Sequence, residues 1–412
     1  MSPPRVVVTG LGAITPIGLT AADLWRNLTA GVSGVGPITR FDPGPLPVKI
    51  AAEVRGFEPT LYMDAKTARR LERFAQFAVA AGKQAIENAR LTIDESNAER
   101  VGVVMNTGGG GVLKVESEAL VYEHKGADRV SPLFVPMMMP NIGACQLSIL
   151  TGARGPVSCA TAACAAGVQA IVDAWRLIRD GEADVVVAGS AESGLTPMAF
   201  AGLANMQALS RRNDDPTGAS RPFDLERDGF VFGEGAGALV LEREEHARAR
   251  GATVIACVAG GALTGDAFHI TAPSPEGEGA ARAMKRAVQV AGLSVDDVDY
   301  VCAHATSTSV GDVAEIAAIK RALGCRAEKV AVSAPKSMVG HLLGAAGAVT
   351  AIAAACAVRD DLVPPTINYR TPDPACDLDV VPNEPRKMTV RGALANGFGF
   401  GGQNAVAFFT KA

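Results

Sequence analysis

With 412 residues and a formal net charge of −4, the chain is long enough for two or three domains and lacks the broadly basic surface that nonspecific nucleic-acid binding needs. Hydrophobic residues make up 48% and aromatic residues only 5%, so a large core has to be built from Ala, Val, Leu and Ile. Glycine, at 45 residues or about 11%, exceeds the roughly 7% of an average chain and calls for tight turns and close backbone approaches.

Short β-rich runs alternate with longer Ala-rich helical stretches, the pattern of an α/β protein. In chain order the reading is strand Arg5–Thr9, helices Ala21–Ala30 and Ala65–Ala89, strands Val101–Met105 and Pro156–Cys159, helix Ala165–Arg179, and strands Asp184–Ala188 and Ala236–Glu242. After the charged segment Glu242–Arg250 come strand Val254–Ala259, helix Gly279–Ala291, strand Tyr300–Ala303, helix Gly311–Leu323, strand Val330–Ser333, helix Ala345–Arg359 and strand Ala393–Asn396. A weak repeat is visible. Cys164-Ala165-Ala166-Gly167 and Gly344-Ala345-Ala346-Gly347 each open a small-residue helix after a short strand. The boundary between halves falls near Arg250-Gly251, giving units 1–250 and 251–412. No apolar run of about 18 residues stands out, which predicts no transmembrane helix and no membrane association. The opening Met1-Ser2-Pro3-Pro4-Arg5 lacks a secretory apolar segment, so the expected location is the cytoplasm. Eight scattered cysteines without CxxC spacing indicate neither a zinc site nor a disulfide framework, so no metal is expected.

Three residues stand in unusual company. Cys164 begins a helix after a turn and strand, where unpaired N–H groups and the helix dipole favour a thiolate and can hold an oxyanion. His304 ends a strand-like run and is followed by Thr306, Ser307 and Thr308. His341 sits in Lys336-Ser337-Met338-Val339-Gly340-His341. One thiol and two imidazoles on separate strand-to-helix turns point to covalent acyl transfer. Of the other histidines, His124 and His246 read as surface groups, and His269 is intermediate. Cys159 reads as a buried, inert neighbour. Lys336 and Glu315 form a candidate buried ion pair, because a buried lysine without a carboxylate is costly. The run Asn396-Gly397-Phe398-Gly399-Phe400-Gly401-Gly402 reads as a mobile loop carrying aromatic rings. Gly10-Leu11-Gly12 and Gly108–Gly111 lack the partners of dinucleotide or phosphate loops and read as close backbone packing.

The order Cys…His…His with these local words resembles the β-ketoacyl synthases, from Val6 to Phe408, and is closest to their elongating 3-oxoacyl-[acyl-carrier-protein] synthase II type. The resemblance implies a thiolase-like α-β-α-β-α sandwich of two βαβαβαββ halves and a homodimer with the pocket floor at the subunit interface. It implies Cys164 as nucleophile, and His304 and His341 at the malonyl carbonyl with Lys336 nearby; Glu315 and Asp312 are taken as supporting residues. Phe398, Gly399 and Phe400 match the gate, with the Phe400 amide completing the oxyanion hole. Thr306 and Thr308 match the phosphopantetheine contacts, with His269 a further candidate. No bound cofactor is expected, since the phosphopantetheine belongs to an acyl carrier protein. Docking of that acidic partner is expected at Lys66, Arg69, Arg70 and Arg73, spaced along one helix face, with Arg129 nearby.

Some positions depart from the family pattern. Cys302, Thr350 and Ala395 replace the oxygen ligands that hold a monovalent cation in relatives, so no cation is expected. Gln207 stands where an arginine often serves docking. Gly109 stands where elongating relatives carry a branched apolar residue in the acyl tunnel. Either the tunnel is open before substrate arrives, or Met137 or Met138 fills the space. The implied activity is decarboxylative condensation with malonyl-carrier protein in fatty-acid elongation. The alternatives are a polyketide ketosynthase and a non-catalytic chain-length partner, the latter disfavoured by Cys164.

Overall fold

The computed structural model describes residues 4–412. Ten strands form one continuous sheet, built from two repeats of the same βαβαβαββ order. The first repeat runs β1 (Val6–Ile14), α1 (Arg73–Asn88), β2 (Val101–Asn106), α2 (Ile142–Thr151), β3 (Val157–Ser158), α3 (Ala166–Arg179), β4 (Val185–Glu192) and β5 (Gly235–Arg243). The second runs β6 (Ala256–Gly265), α4 (Glu278–Val290), β7 (Tyr300–Cys302), α5 (Ser309–Leu323), β8 (Ala331–Ser333), α6 (Ala346–Asp360), β9 (Gly392–Gly399) and β10 (Gln403–Thr410). The strand order is β3-β2-β4-β5-β1 in one half and β6-β10-β9-β7-β8 in the other. The halves join where β1 pairs with β6 antiparallel, Val6 opposite Val258 and Val8 opposite Ala256.

Helices α3 and α6 lie against each other between the two half-sheets. Their apolar faces, with the inner strand faces, make one core drawn from both repeats. Helices α1 and α2 cover the outer face of the first half, and α4 and α5 that of the second. The five-layer arrangement expected from the sequence is therefore present. The segment Leu343–Asp360 does reach membrane-spanning length and apolarity, contrary to the sequence reading, but it is 83% buried as the central helix.

Three differences from the predicted elements have clear causes. Strand β1 continues through Gly10 and Gly12 to Ile14, because α1 lies directly on it. A Cβ at Gly10 would meet Ala85 O at 2.2 Å, and one at Gly12 would meet Ala81 O at 2.0 Å. The helix read as Ala65–Ala89 is broken: a four-residue helix, Ala65–Ala68, is capped by Asp64, and α1 starts afresh at Arg73, capped by Glu72. The run Asn396–Gly399 is strand rather than mobile loop, paired in register with β10 up to Gly399 opposite Gln403. Only Phe400–Gly402 forms the turn, with Gly401 and Gly402 at φ 83° and 73°.

An ion cluster closes the first repeat. Glu242, on β5 and fully buried, accepts from Thr9 and from Arg250 Nε at 2.9 Å, and lies 2.8 Å from His246 Nδ1. His246 is thus a partly buried member of this cluster rather than a free surface group. Arg250 also donates to the carbonyls of Ala89 and Arg90, tying the end of α1 to the sheet. Burial pushes the Glu242 carboxyl up, but Arg250, His246 and Thr9 outweigh it and hold it at about 2. That contribution to stability is complete above pH 4.5, the ordinary value for glutamate, and is lost as pH falls toward 2. Arg250→Leu strands the buried carboxylate and is expected to cost ~3–5 kcal/mol. Urea unfolding at pH 7 checks this; a loss below ~1 kcal/mol would contradict the role given to the cluster.

Candidate active site

The nucleophile turn, the two histidine loops and the gate strand meet where α3 and α6 begin. Ala163–Ala165 forms one tight turn before α3, with Ala163 at φ 45°. Cys164 is buried there. Its Sγ lies 3.0 Å from Nε2 of His341. His341 is placed by its backbone, which donates to Val231 O at 2.7 Å, and by Phe230 edge-on to its ring. The rings of His304 and His341 are 5.6 Å apart. Cys164, His304, His341, Thr306, Phe398 and Phe400 share the wall of a cavity of about 340 Å³.

The electrostatics decide how the thiol is activated. Burial pushes Cys164 up to about 11, against the pull of the Lys336 charge and of the backbone N–H groups of Phe400 and Cys164 itself. The turn amides therefore do not make a free thiolate, contrary to the expectation from helix position. Both amides favour the charged sulfur, as donors of an oxyanion hole must. Burial, with the Lys336 charge, keeps both histidines well below the ordinary imidazole range, so both are neutral near pH 7. A neutral His341 at 3.0 Å is the acceptor available to the thiol proton. Its Nδ1 is buried without a partner, so the surroundings do not fix its tautomer. Lys336 Nζ lies 3.5 Å from His304 Nδ1. An ammonium can only donate, so this contact favours the His304 proton on Nε2.

The Lys336–Glu315 ion pair expected from sequence is not a contact pair. The Glu315 oxygens are taken by the amides of His304 and Ala305, at 2.9 and 2.6 Å, and by Asn396 Nδ2 at 2.9 Å. Glu315 thus holds the His304 loop to β9, and sequence reasoning missed Asn396 as its partner. Asp312 does not line the cavity. It accepts from Phe223 N and Ser307 N and lies 3.6 Å from Arg227, a nearly buried arginine that also donates to Thr308 O and Ser309 O. Together they shape the loop that presents Thr306 and Thr308, whose hydroxyls are 3.1 Å apart.

Other predicted residues lie elsewhere. His269 is exposed and off the cavity wall; its Nδ1 accepts from Thr271 N and Ala272 N. Gly109 is also off the wall: it is exposed, and a Cβ there would meet Val112 Cγ2 at 3.1 Å and Glu192 Oε1 at 3.7 Å. The backbones of Met137 and Met138 lie against Gly111. Arg73 turns inward, donating to both oxygens of Glu234 and to Val54 O, and leaves the docking stripe. Lys66, Arg69, Arg70 and Arg129 are exposed, but the helix break removes the single face they were assigned. Gly399 packs on the nucleophile turn, its virtual Cβ 2.8 Å from Ala162 O. At the expected cation position, Ala395 pairs with Cys302, both fully buried, and the Thr350 hydroxyl donates to Ala346 O. Cys159 is half-buried and donates to Pro140 O, away from the cavity.

Alkylation of Cys164 by iodoacetamide is expected to keep accelerating with pH to at least pH 10, because the thiol sits near 11. Peptide mapping of the modified protein follows it residue by residue. A plateau below pH 8 would show that the turn amides and Lys336 outweigh burial.

Comparison with known proteins agrees with this geometry. The family described as beta-ketoacyl synthase, N-terminal domain, matches residues 4–247, and beta-ketoacyl synthase, C-terminal domain, matches residues 255–370. The chain is 50% identical over 407 residues to 3-oxoacyl-[acyl-carrier-protein] synthase 2 of Synechocystis sp., covering 99% of this chain and 98% of that protein. It is 47% identical over 407 residues to the Staphylococcus aureus protein of the same name, with the same coverage. Among solved structures, the ishigamide ketosynthase/chain length factor superposes with TM-score 0.94 at 35% identity over the full length of both chains. A type II polyketide synthase acyl-carrier protein in complex with its ketosynthase gives 0.91 at 34%, also over both full lengths. Both repeats, with their cysteine and histidine turns, are thus accounted for, and the chain belongs to the β-ketoacyl synthase family.

Proposed function

We propose that the protein is a 3-oxoacyl-[acyl-carrier-protein] synthase that lengthens fatty acyl chains by two carbons. The observation that carries this reading is the 3.0 Å contact of Cys164 Sγ with His341 Nε2, beside His304 and with the amides of Cys164 and Phe400 favouring the charged sulfur. In the first half-reaction the thiol attacks the thioester carbonyl of an acyl-carrier protein. The thiol proton passes through His341 to the departing carrier thiolate, and a new thioester forms on Cys164. In the second, malonyl-carrier protein binds with its thioester carbonyl against His304 and His341. Loss of CO₂ leaves an enolate whose negative oxygen these imidazoles stabilise. The enolate carbon attacks the acyl-Cys164 carbonyl, the oxyanion rests on the Cys164 and Phe400 amides, and the thiolate leaves. One proton from solvent restores the thiol, and a 3-oxoacyl-carrier protein departs.

The intact Cys-His-His set favours an enzyme over a chain-length partner subunit. Identity of 47–50% to curated 3-oxoacyl synthases, against 34% to the type II polyketide synthase structure, favours fatty-acid over polyketide elongation. The reading calls for no resident cofactor or metal; the phosphopantetheine arm arrives with the carrier and would pass Thr306 and Thr308. Both substrates ride on a water-soluble carrier, consistent with a cytoplasmic enzyme. The uncovered edge of β3, with Val157 and nearby Ile149 exposed, supports a homodimer.

Cys164→Ala is expected to abolish condensation, and mass spectrometry should place the transferred acyl group of the unaltered protein on Cys164. His304→Ala should lower malonyl-carrier decarboxylation by ~10²–10³ while Cys164 still alkylates. Acyl label on Cys159, or decarboxylation at the unaltered rate in His304→Ala, would reject these roles.

Reversing Arg69 and Arg70 to Glu is expected to raise KM for carrier-bound substrates roughly 3–30-fold, the scale of two exposed charge pairs, and to leave iodoacetamide alkylation unchanged. Steady-state kinetics with acyl-carrier protein measure this. Equal KM values would return the two arginines to ordinary solvated charges.

A further inference from the structure

The end of β4 carries a buried carboxylate that the condensation chemistry leaves unused. Glu192 is 1% exposed. Its Oε2 accepts from Gly108 N at 2.7 Å and Gly344 N at 3.2 Å, and its Oε1 lies 3.4 Å from Thr107 Oγ1. Burial pushes this carboxyl up to about 7, against the pull of the Gly108, Gly344 and Gly109 amides and of Thr107. Gly344 stands three residues beyond His341, and Gly108 follows β2. No other residue type fits where these two loops touch. A Cβ at Gly344 would meet Gly108 N at 2.1 Å, and one at Gly108 would meet Glu192 Oε2 at 2.6 Å.

The duplicated fold gives this contact its meaning. Strands β4 and β9 hold the same place in the two repeats and each has eight residues, so Glu192 corresponds to Gly399. The turns Ala163–Ala165 and Leu343–Ala345 correspond as well, down to the left-handed first residue: φ is 45° at Ala163 and 44° at Leu343. Gly344 N is therefore the counterpart of Cys164 N. The first amide hole, at Cys164 and Phe400, stays open for the reacting carbonyl. The Gly344 amide lines a different, second hole with the amide of Gly108 after β2, and the Glu192 carboxyl fills it. Where Gly399 lies bare on the nucleophile turn, Glu192 grips its twin.

We infer that Glu192 is a positioning residue for the condensation: a built-in carboxyl that occupies the second amide hole and thereby holds His341, just before the Leu343–Ala345 turn, at contact distance from Cys164. It never touches substrate. A neutral amide in its place would offer one acceptor and set an NH₂ group against amide donors, loosening the hold on His341 without emptying the site. The inference rests on the proposed condensing activity, which the unaltered protein establishes or refutes in the same assay before any variant is compared.

The test uses Glu192→Gln and Glu192→Ala in the full-length protein, with acyl- and malonyl-carrier protein as substrates. Glu192→Gln is expected to lower kcat by ~10²-fold, the scale of a 1 Å misplacement of reacting groups, with KM for both substrates within about twofold. Glu192→Ala leaves the hole open, so added formate should restore part of its kcat, while formamide, of similar size and uncharged, should not. Full kcat in Glu192→Gln would overturn the inference. So would a loss of activity that only tracks the folded fraction by circular dichroism and ignores formate. If Glu192→Ala does not fold, the kcat and KM values of folded Glu192→Gln decide alone.

Discussion

The closeness of α3 and α6 is the constraint on which the rest of the molecule depends. A Cβ at Gly167 would lie 2.2 Å from Ala348 N, and one at Gly347 would lie 2.5 Å from Val168 N. Only glycine lets the two helix starts touch backbone to backbone. That contact sets the turn of Cys164 against the turn of His341, although 177 residues separate them in sequence. The facing surfaces of the two helices accordingly carry many alanines within a core otherwise filled by Val, Leu and Ile.

Much of this was legible in the chain. The Ala/Gly runs at Cys164 and Gly344 mark the central helices because close helix contact demands small residues wherever it occurs. His304 stands out because it follows a short strand and precedes three hydroxyl residues, and His341 because it precedes the small-residue run that opens a helix. The alternation of elements marked an α/β protein for the same local reasons, and the duplicated architecture came from the family resemblance.

What stayed hidden depends on contacts distant in sequence. The break between Ala65 and Ala89 is marked only by the local cap of Glu72 on Phe74 N, while the inward turn of Arg73 depends on Glu234, far along the chain. Alternating Gly and Phe hid the end of β9, since Gly397 and Gly399 are strand residues whose missing side chains make room for Val168 and for the nucleophile turn. The pairing of Lys336 with Glu315 failed as a contact because the Glu315 oxygens were already claimed by two backbone amides and Asn396. Backbone amides leave no mark in a sequence. The state of Cys164 was misjudged for a related reason: helix position is local, but the burial that dominates it is supplied by the whole fold.

The division of the reacting groups between the repeats has a consequence for synthesis of the protein. The thiol comes from the first repeat, the two imidazoles from the second, and the oxyanion amide at Phe400 from the turn between β9 and β10. A ribosome that has completed the first repeat has made a segment with a cysteine and no base, no enolate donor and half an oxyanion hole. Chemistry begins only when β9 and β10 have closed on the nucleophile turn. A chain that still lacks β9 and β10 is thus inert by construction.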